Sequence, residues 1–308
     1  MFYGAHLPII DLTGESRFTA RRIGEYARAS ESLGYETLAV TDRLVFSRPF
    51  YDGLTALSAA AGHTERVKLA TSIIIAPARH PVVLAKSAAT LDALSGGRFI
   101  LGAGPGSLAD DHRAAGLNFG ERWRRFEESI LAMKALWRRE DFKGRFYNVE
   151  GVDIAVPNVR KGGPPVYIGS WGSEVGLRRT ARVADGWLAS AYNTDPPRFA
   201  ESWGRLRGFL KEAGKDASAF PNALSTSYFY ITEDPSVRVE MVRSIFAKML
   251  PRPEEDLLRR LLIGGAEQVA ERLSAYKAAG LQQVFLWPVR DEVKQLEMFM
   301  KRVAPRVG

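Results

Sequence analysis

The stretch LDALSGGRFILGAGPGSLADD, Leu91 to Asp111, carries a helix end, a short apolar strand and a run of glycines. A strand followed by G-x-G-x-x-G at a helix start would hold a dinucleotide pyrophosphate on free backbone amides. Here Gly102, Gly104 and Gly106 alternate as G-x-G-x-G, and Pro105 has no amide to donate. Asp110 and Asp111 would also set two carboxylates beside the phosphate. The residues alone favour a buried strand whose glycines end it and turn the chain. The fold then depends on how often this helix-to-strand unit recurs.

Working outward, short apolar or β-branched runs alternate with longer stretches of helical period, the pattern of parallel β/α units. MFYGAHL, TLAVTD, VKLATSIIIA, RFILGAG, PVYIGS, GWLAS, ALSTSYFYIT and QQVFLWPV give eight predicted strands. Phe18, Ile23, Tyr26, Ser30 and Leu33 mark one helix face that stops at Gly34, and Leu84, Ala88, Leu91 and Leu94 mark another that stops at Gly96-Gly97. Phe126, Ile130, Met133 and Trp137 form a third face, read as core packing. Two segments exceed a normal unit. Asp141 to Pro165 alternates like a hairpin, and Glu233 to Gly265 holds two helical patterns split by Pro251 and Pro253. Both read as insertions, after strands 4 and 7, in a single (β/α)8 TIM barrel domain over 1–308.

Composition narrows the chemistry. Hydrophobic residues make up 46% and charged residues 25%, a globular balance. The net charge of +8 suits an anionic ligand, but Lys and Arg are interleaved with acids in stretches such as RWRRFEE, so nucleic acid is not an expected partner. The chain has no cysteine, which removes disulfides, thiol nucleophiles and cysteine-bound metals; redox chemistry would need a cofactor. MFYGAHLPII has no basic leader and no run is long enough for a membrane span, so a cytoplasmic protein is expected. His6, His63, His80 and His112 lack metal-ligand spacing, and no metal is expected.

Barrel chemistry sits at the C-terminal strand ends. There the sequence places His6, Asp42-Arg43, Ser72, the GAGPGSLADD segment, Gly169 to Glu174, Ser190, Ser225-Thr226 and Trp287. In GSWGSE the strand ends in Gly169, Ser170, Trp171 and Gly172, and Ser173 can cap a helix whose first amides favour a phosphate. An ordinary capped helix fits these letters equally. Asp42-Arg43 reads as a structural ion pair or as a substrate contact, and His6 as a rim residue or an acid/base group.

Taken together, SLGYETLAVTDRLV, TERVKLATSIIIAPARHPVVLAKSAATLDALSGGRFILGAGPG, FGERWRRFEESILAMKALW and PPVYIGSWGSEVGLRRTARVADGW, in this order, resemble the luciferase-like flavin-dependent oxidoreductase superfamily over nearly the whole chain. The resemblance implies that Gly104 and Gly106 keep one wall low for a tricyclic ring and that GSWGS holds the cofactor phosphate. It also implies that Ser72-Ile73 matches the pair joined by a cis bond in deazaflavin-dependent members. TDRLVF, that pair and the phosphate turn look more like enzymes using coenzyme F420 than FMN, with Arg178, Arg179 and Arg182 available to its acidic tail. Hydride transfer at the deazaflavin C5 is then implied, the ring supplying the chemistry and the barrel the geometry. His6, Asp42, Arg43 and Asp110 are the candidates for substrate binding or proton transfer.

One departure matters. The sugar-phosphate dehydrogenases of the superfamily carry Asp-His after the second strand and a glutamate in the glycine segment, whereas this chain has Asp42-Arg43 and Ser107, so their acid/base machinery does not transfer. The rival readings are an FMN-dependent monooxygenase served by a separate flavin reductase, a flavin-holding barrel without catalysis, and an unrelated barrel binding a phosphorylated metabolite through GSWGS. A small-molecule substrate and a homodimer complete the expectation.

Overall fold

The computed structural model describes residues 1–14, 18–250 and 252–308. Among them ten strands form one sheet: β1 (Phe2–His6), β2 (Thr37–Val40), β3 (Lys68–Thr71), β4 (Ile74–Ile75), β5 (Phe99–Gly104), β6 (Val166–Gly169), β7 (Gly186–Ser190), β8 (Asn222–Ile231), β9 (Leu262–Gly264) and β10 (Gln283–Pro288). The order β10-β1-β2-β3-β5-β6-β7-β8 closes on itself through a β8–β10 pairing, and the named-strand pairings are parallel. This is a (β/α)8 TIM barrel, as the strand count predicts. β4 and β9 lie outside the closed ring: β4 pairs with β5, and β9 extends the far end of β8.

The helices start and stop where local chemistry dictates. Thr19 accepts the Arg22 N–H and caps Ala20–Ser32, and His80 followed by Pro81 opens Pro81–Leu94. Helix Arg122–Arg138 buries Phe126, Ile130, Met133 and Trp137, and the Trp137 indole N–H donates to the Ala85 carbonyl at 3.0 Å. That bond satisfies a buried polar group while joining two neighbouring helices. The expected hairpin in Asp141 to Pro165 reduces to one antiparallel bridge, Lys143 with Asn148. In Glu233 to Gly265 the structure has helices Pro235–Met241 and Glu254–Arg260, with a π-helical stretch, Val242–Phe246, between them. Pro251 lies outside the described residues, while Pro253 stands directly before the second helix. No helix among the described residues is long and apolar enough to cross a membrane.

Strand alternation sorts the core into layers. Leu38, Leu69, Leu101 and Ile168 face the helices, whereas Ala39, Ala70, Ile100, Leu188, Ala223 and Phe285 form an apolar plug inside the barrel. Advancing two residues along each strand changes the chemistry above that plug. The inward positions become Thr41, Ser72, Gly102, Ser190, Ser225 and Trp287, and His6 at the end of β1 stacks on Trp287. On β8 a register shift follows, with Thr226 at φ +58°, so that Tyr228 lies beside Trp287. The barrel therefore carries a greasy plug below and a shallow mouth of small, polar and aromatic side chains above.

Candidate active site

The glycine segment is built around close approaches. A Cβ on Gly102 would lie 1.8 Å from the Thr71 carbonyl oxygen and 2.7 Å from Leu188 Cδ1, so only hydrogen fits. Thr71 also donates its hydroxyl to the Gly102 carbonyl at 2.7 Å, fastening β3 to β5. Beyond Thr71 the expected third strand breaks at Ser72-Ile73, whose peptide bond is cis. The Ile73 side chain crosses the mouth: its Cδ1 and Cγ2 lie 3.0 Å from where Cβ atoms on Gly104 and Gly169 would be. The room left by those two glycines is thus filled by Ile73, and the exposed floor is that side chain rather than bare glycine backbone. Ile73 is half-buried above the plug, and the hydroxyl of buried Ser72 beside it has no hydrogen-bond partner. Gly106 turns the chain at φ +80° above Ile75 and His112.

Opposite this floor stands an aromatic wall. The His6 ring is stacked on Trp287 with centroids 4.1 Å apart and planes 5° from parallel, and Trp287 continues onto Tyr228 at 4.7 Å. His6 is fully buried, and neither of its ring nitrogens has a hydrogen-bond partner. Burial without an acidic partner pushes its pKa down to about 3, so it stays neutral at physiological pH. Burial likewise pushes the Tyr228 hydroxyl up to about 12, so that wall carries no charge.

His6 also makes stability pH-dependent. Between the ordinary histidine value and about 3, the unfolded chain takes a proton that the folded chain refuses, so stability falls as pH falls through that window. At one proton per pH unit the slope is about 1.4 kcal/mol. Urea unfolding at pH 7.5 and pH 5.0 is expected to show a loss about 2 kcal/mol larger in the wild type than in His6→Phe. Equal losses would mean that His6 titrates alike in both states.

The other three candidates are held elsewhere. Asp42, 3% exposed, accepts from Arg79 at 2.6 and 3.0 Å and from the Ile75 N–H at 3.0 Å, and Arg79 also reaches Asp52 at 2.8 Å. Arg43 Nε lies 2.8 Å from Asp111 Oδ2 at an angle that makes it an ion pair rather than a hydrogen bond. Asp110, its side chain 61% exposed, pairs with the still more exposed Arg113. Its neighbour Asp111 is buried and takes the Leu44 and Val45 N–H groups on Oδ1 at 2.9 and 3.2 Å. Asp111 thereby pins the segment after β2 onto the glycine segment. Asp111→Ala, which leaves Arg43 and two amides unpaired, is expected to cost about 3 kcal/mol in urea unfolding; a loss below about 1 kcal/mol would deny it that role.

The turn after β6 leads into a serine-capped helix start. Ser170 is buried, and Ser173 caps helix Glu174–Val183 by accepting the Gly176 N–H at 3.3 Å. Both hydroxyls flank Gly176, whose added Cβ would lie 2.5 Å from Ser170 Oγ and 3.0 Å from Ser173 Oγ. Gly172 takes φ +88°, and Trp171 between the serines is 64% exposed. The first-turn amides of such a helix have no intrahelical acceptor. Glu174 would repel a phosphate, but it hydrogen-bonds Arg178 at 3.0 Å and Arg205 at 3.2 Å, and these cations hold its carboxyl below the usual range. Arg179 and Arg182 turn to Glu127 on the adjacent helix instead of to this turn.

The sequence profile of luciferase-like monooxygenases matches residues 2–283. The chain belongs to that family. Curated relatives include an F420-dependent glucose-6-phosphate dehydrogenase of Rhodococcus jostii, 30% identical over 94% of this chain and 95% of that one. Another enzyme so named, from Nocardia farcinica, is 28% identical with the same coverage. Among solved structures, a monooxygenase from Streptomyces bottropensis superposes with a TM-score of 0.85 at 21% identity, covering 100% of both chains. An F420-dependent secondary alcohol dehydrogenase in complex with an F420-acetone adduct gives 0.84 at 19%, covering 100% of this chain and 99% of that one. At these identities the two structures establish the shared fold alone. Arg79, Asp111 and Tyr228 are the features of this site that sequence reasoning missed, whereas Ile73 was among its candidates.

Proposed function

We propose that this luciferase-like barrel is a coenzyme F420-dependent oxidoreductase that transfers a hydride between the deazaflavin C5 and a small organic substrate. The observation that carries the reading is the floor of the mouth: half-buried Ile73, beside the unpartnered Ser72 hydroxyl and next to the strand that feeds the serine-lined turn. An apolar surface with one polar group at its edge suits an uncharged ring, and helix-start amides suit the phosphate attached to it. The 28% and 30% identical relatives, both named F420-dependent, support the deazaflavin over FMN. When bound, the deazaflavin supplies the carbon that gives or takes the hydride.

The protein's own part is positioning and hydrogen bonding. Ile73, Gly104, Gly106 and Gly169 shape the floor, Ser72 offers a hydroxyl at its edge, and Ser170, Trp171, Gly172 and Ser173 form the phosphate turn. Neutral His6 keeps a ring N–H with which to meet a substrate oxygen, as a hydrogen-bond donor rather than a proton store. Asp42 and Arg43, tied to Arg79 and Asp111, hold the mouth segments in place, and Asp110 takes no part in the reaction.

A side-by-side titration with F420 and FMN tests the cofactor, with tighter F420 binding expected; tighter FMN binding would favour the monooxygenase. Ser173→Asp keeps a good helix cap while adding a carboxylate at the turn. It is expected to weaken F420 binding at least about tenfold, equivalent to about 1.4 kcal/mol, with an unchanged melting temperature. Unchanged affinity would move the phosphate elsewhere.

A further inference from the structure

We propose that the N-terminal end of the barrel, opposite the mouth, carries a separate site for an oligophosphate anion, in the cavity between the end of helix Arg122–Arg138 and the turn Arg160–Gly163. The cavity, about 900 Å³, lies beside Pro165, the residue before β6, and Asp185, the residue before β7. Its volume is within the range of small-molecule sites.

Its wall is basic. Among the described residues, Lys134, Arg138, Arg139, Arg160 and Lys161 line it against two carboxylates, Glu140 and Asp185. Two of these cations are already held: Lys134 donates to Asp185 at 2.9 and 3.0 Å, and Arg160 donates to buried Asp92 and to the Phe99 carbonyl. The other three are available. Arg138 stands 3.8 Å from Glu140 with both side chains more than half exposed, which makes a weak pair. The side chains of Arg139 and Lys161 have neither an ion-pair nor a hydrogen-bond partner among the described residues. Cations at a helix end ordinarily answer the free carbonyls of its last turn. Here those carbonyls are taken: Ala135 accepts the Glu140 N–H at 2.9 Å, Leu136 the Arg139 N–H at 3.2 Å, and Trp137 the Asn158 side-chain amide. The gathered charges repel one another until a ligand with several negative charges offsets them.

The wall also selects the kind of anion. A phosphate chain sets its charges on adjacent groups, as cations crowded at one turn and one helix end require, and the guanidinium forks of Arg138 and Arg139 match its oxygens. The one aromatic side chain among the described residues of the wall, Trp137, is 2% exposed and lies under Gly163, where an added Cβ would be 2.6 Å from the indole. A nucleobase therefore has no ring to stack on, and recognition falls on the phosphoryl groups. The turn keeps its shape because Gly162 and Gly163 take φ +83° and +86° and the Gly163 N–H donates to the Arg160 carbonyl at 3.0 Å, which holds Lys161 at its tip.

Calorimetric titration of the protein with inorganic tripolyphosphate, in metal-free buffer at about 0.15 M salt, tests the site. Saturable binding of one tripolyphosphate per chain is expected, with ATP within about threefold of it and no binding of adenosine. Reversing two exposed charges in Arg139→Glu/Lys161→Glu is expected to weaken tripolyphosphate at least about tenfold with an unchanged melting temperature. Lys294→Glu/Lys301→Glu makes the same charge change at exposed positions after β10 and is expected to leave the affinity within about twofold. Should the first double variant fail to fold, Arg139→Gln/Lys161→Gln removes the charges without reversing them and is expected to weaken binding at least about threefold. Ser173→Asp, at the other end of β6, is expected to keep the affinity. Loss of binding in Ser173→Asp but not in the Arg139/Lys161 variants puts the anion at the helix-start turn and overturns the proposal. Tighter binding of citrate than of tripolyphosphate, equal weakening by the Lys294/Lys301 pair, or no saturable binding to the wild type also overturns it. None of these readouts uses F420 or turnover, so this site stands or falls apart from the oxidoreductase reading.

Discussion

Gly102→Ala is expected to abolish soluble folded protein or to lower its stability by more than about 3 kcal/mol in urea unfolding. The added methyl would sit 1.8 Å from the Thr71 carbonyl oxygen. A flexible side chain could rotate away, but this obstacle is backbone at the last residue of β3, and Leu188 closes the other side at 2.7 Å. Relief would have to come from parting β3 and β5, the seam registered through Leu69–Phe99 and Ala70–Ile100. A closed barrel has no free edge to absorb such a shift. Gly204→Ala provides the matched control. It lies in helix Pro196–Glu212 with open space around its Cβ position, and alanine there is expected to stabilise by about 0.5–1 kcal/mol. If both variants have wild-type stability, the tight seam is not required.

His6→Phe is expected to lower turnover about 100-fold, the usual loss when one oriented donor to a developing oxyanion is removed, while F420 affinity stays the same. The variant preserves an aromatic ring against Trp287 and removes both nitrogens, and an unchanged circular dichroism spectrum checks that the larger phenyl ring is accommodated. With the His6 pKa at about 3, the wild-type rate should show no inflection from this residue between pH 5 and 8. Turnover unchanged in His6→Phe would leave His6 a packing residue and shift proton handling to solvent.

The barrel was largely legible because its strands and helices repeat at two fixed periods, and all eight predicted strands coincide with strands of the closed ring. The active-site contacts were less so. Asp110 and Asp111 are adjacent, identical letters, yet one pairs in solvent and the other is buried against two loop amides. Only the angle at which the chain enters its short helix decides between them. Arg79 sits among helix-start signals in APARHP, and nothing local reveals a carboxylate 37 residues earlier. The glycines announced a close approach but not its occupant. What approaches Gly104 and Gly169 is Ile73, delivered by a break in the neighbouring strand.

The irregularity at Thr226 has a bearing on how this mouth could diversify. β8 runs SYFY after that residue, and the shifted register is what seats Tyr228 against Trp287. Removing one residue at the shift would advance the strand by one side-chain alternation, turning hydroxyls and aromatics about without altering another letter. A pocket of this kind can therefore change its chemical character through the length of one strand, leaving the plug, the phosphate turn and the rest of the ring as they are.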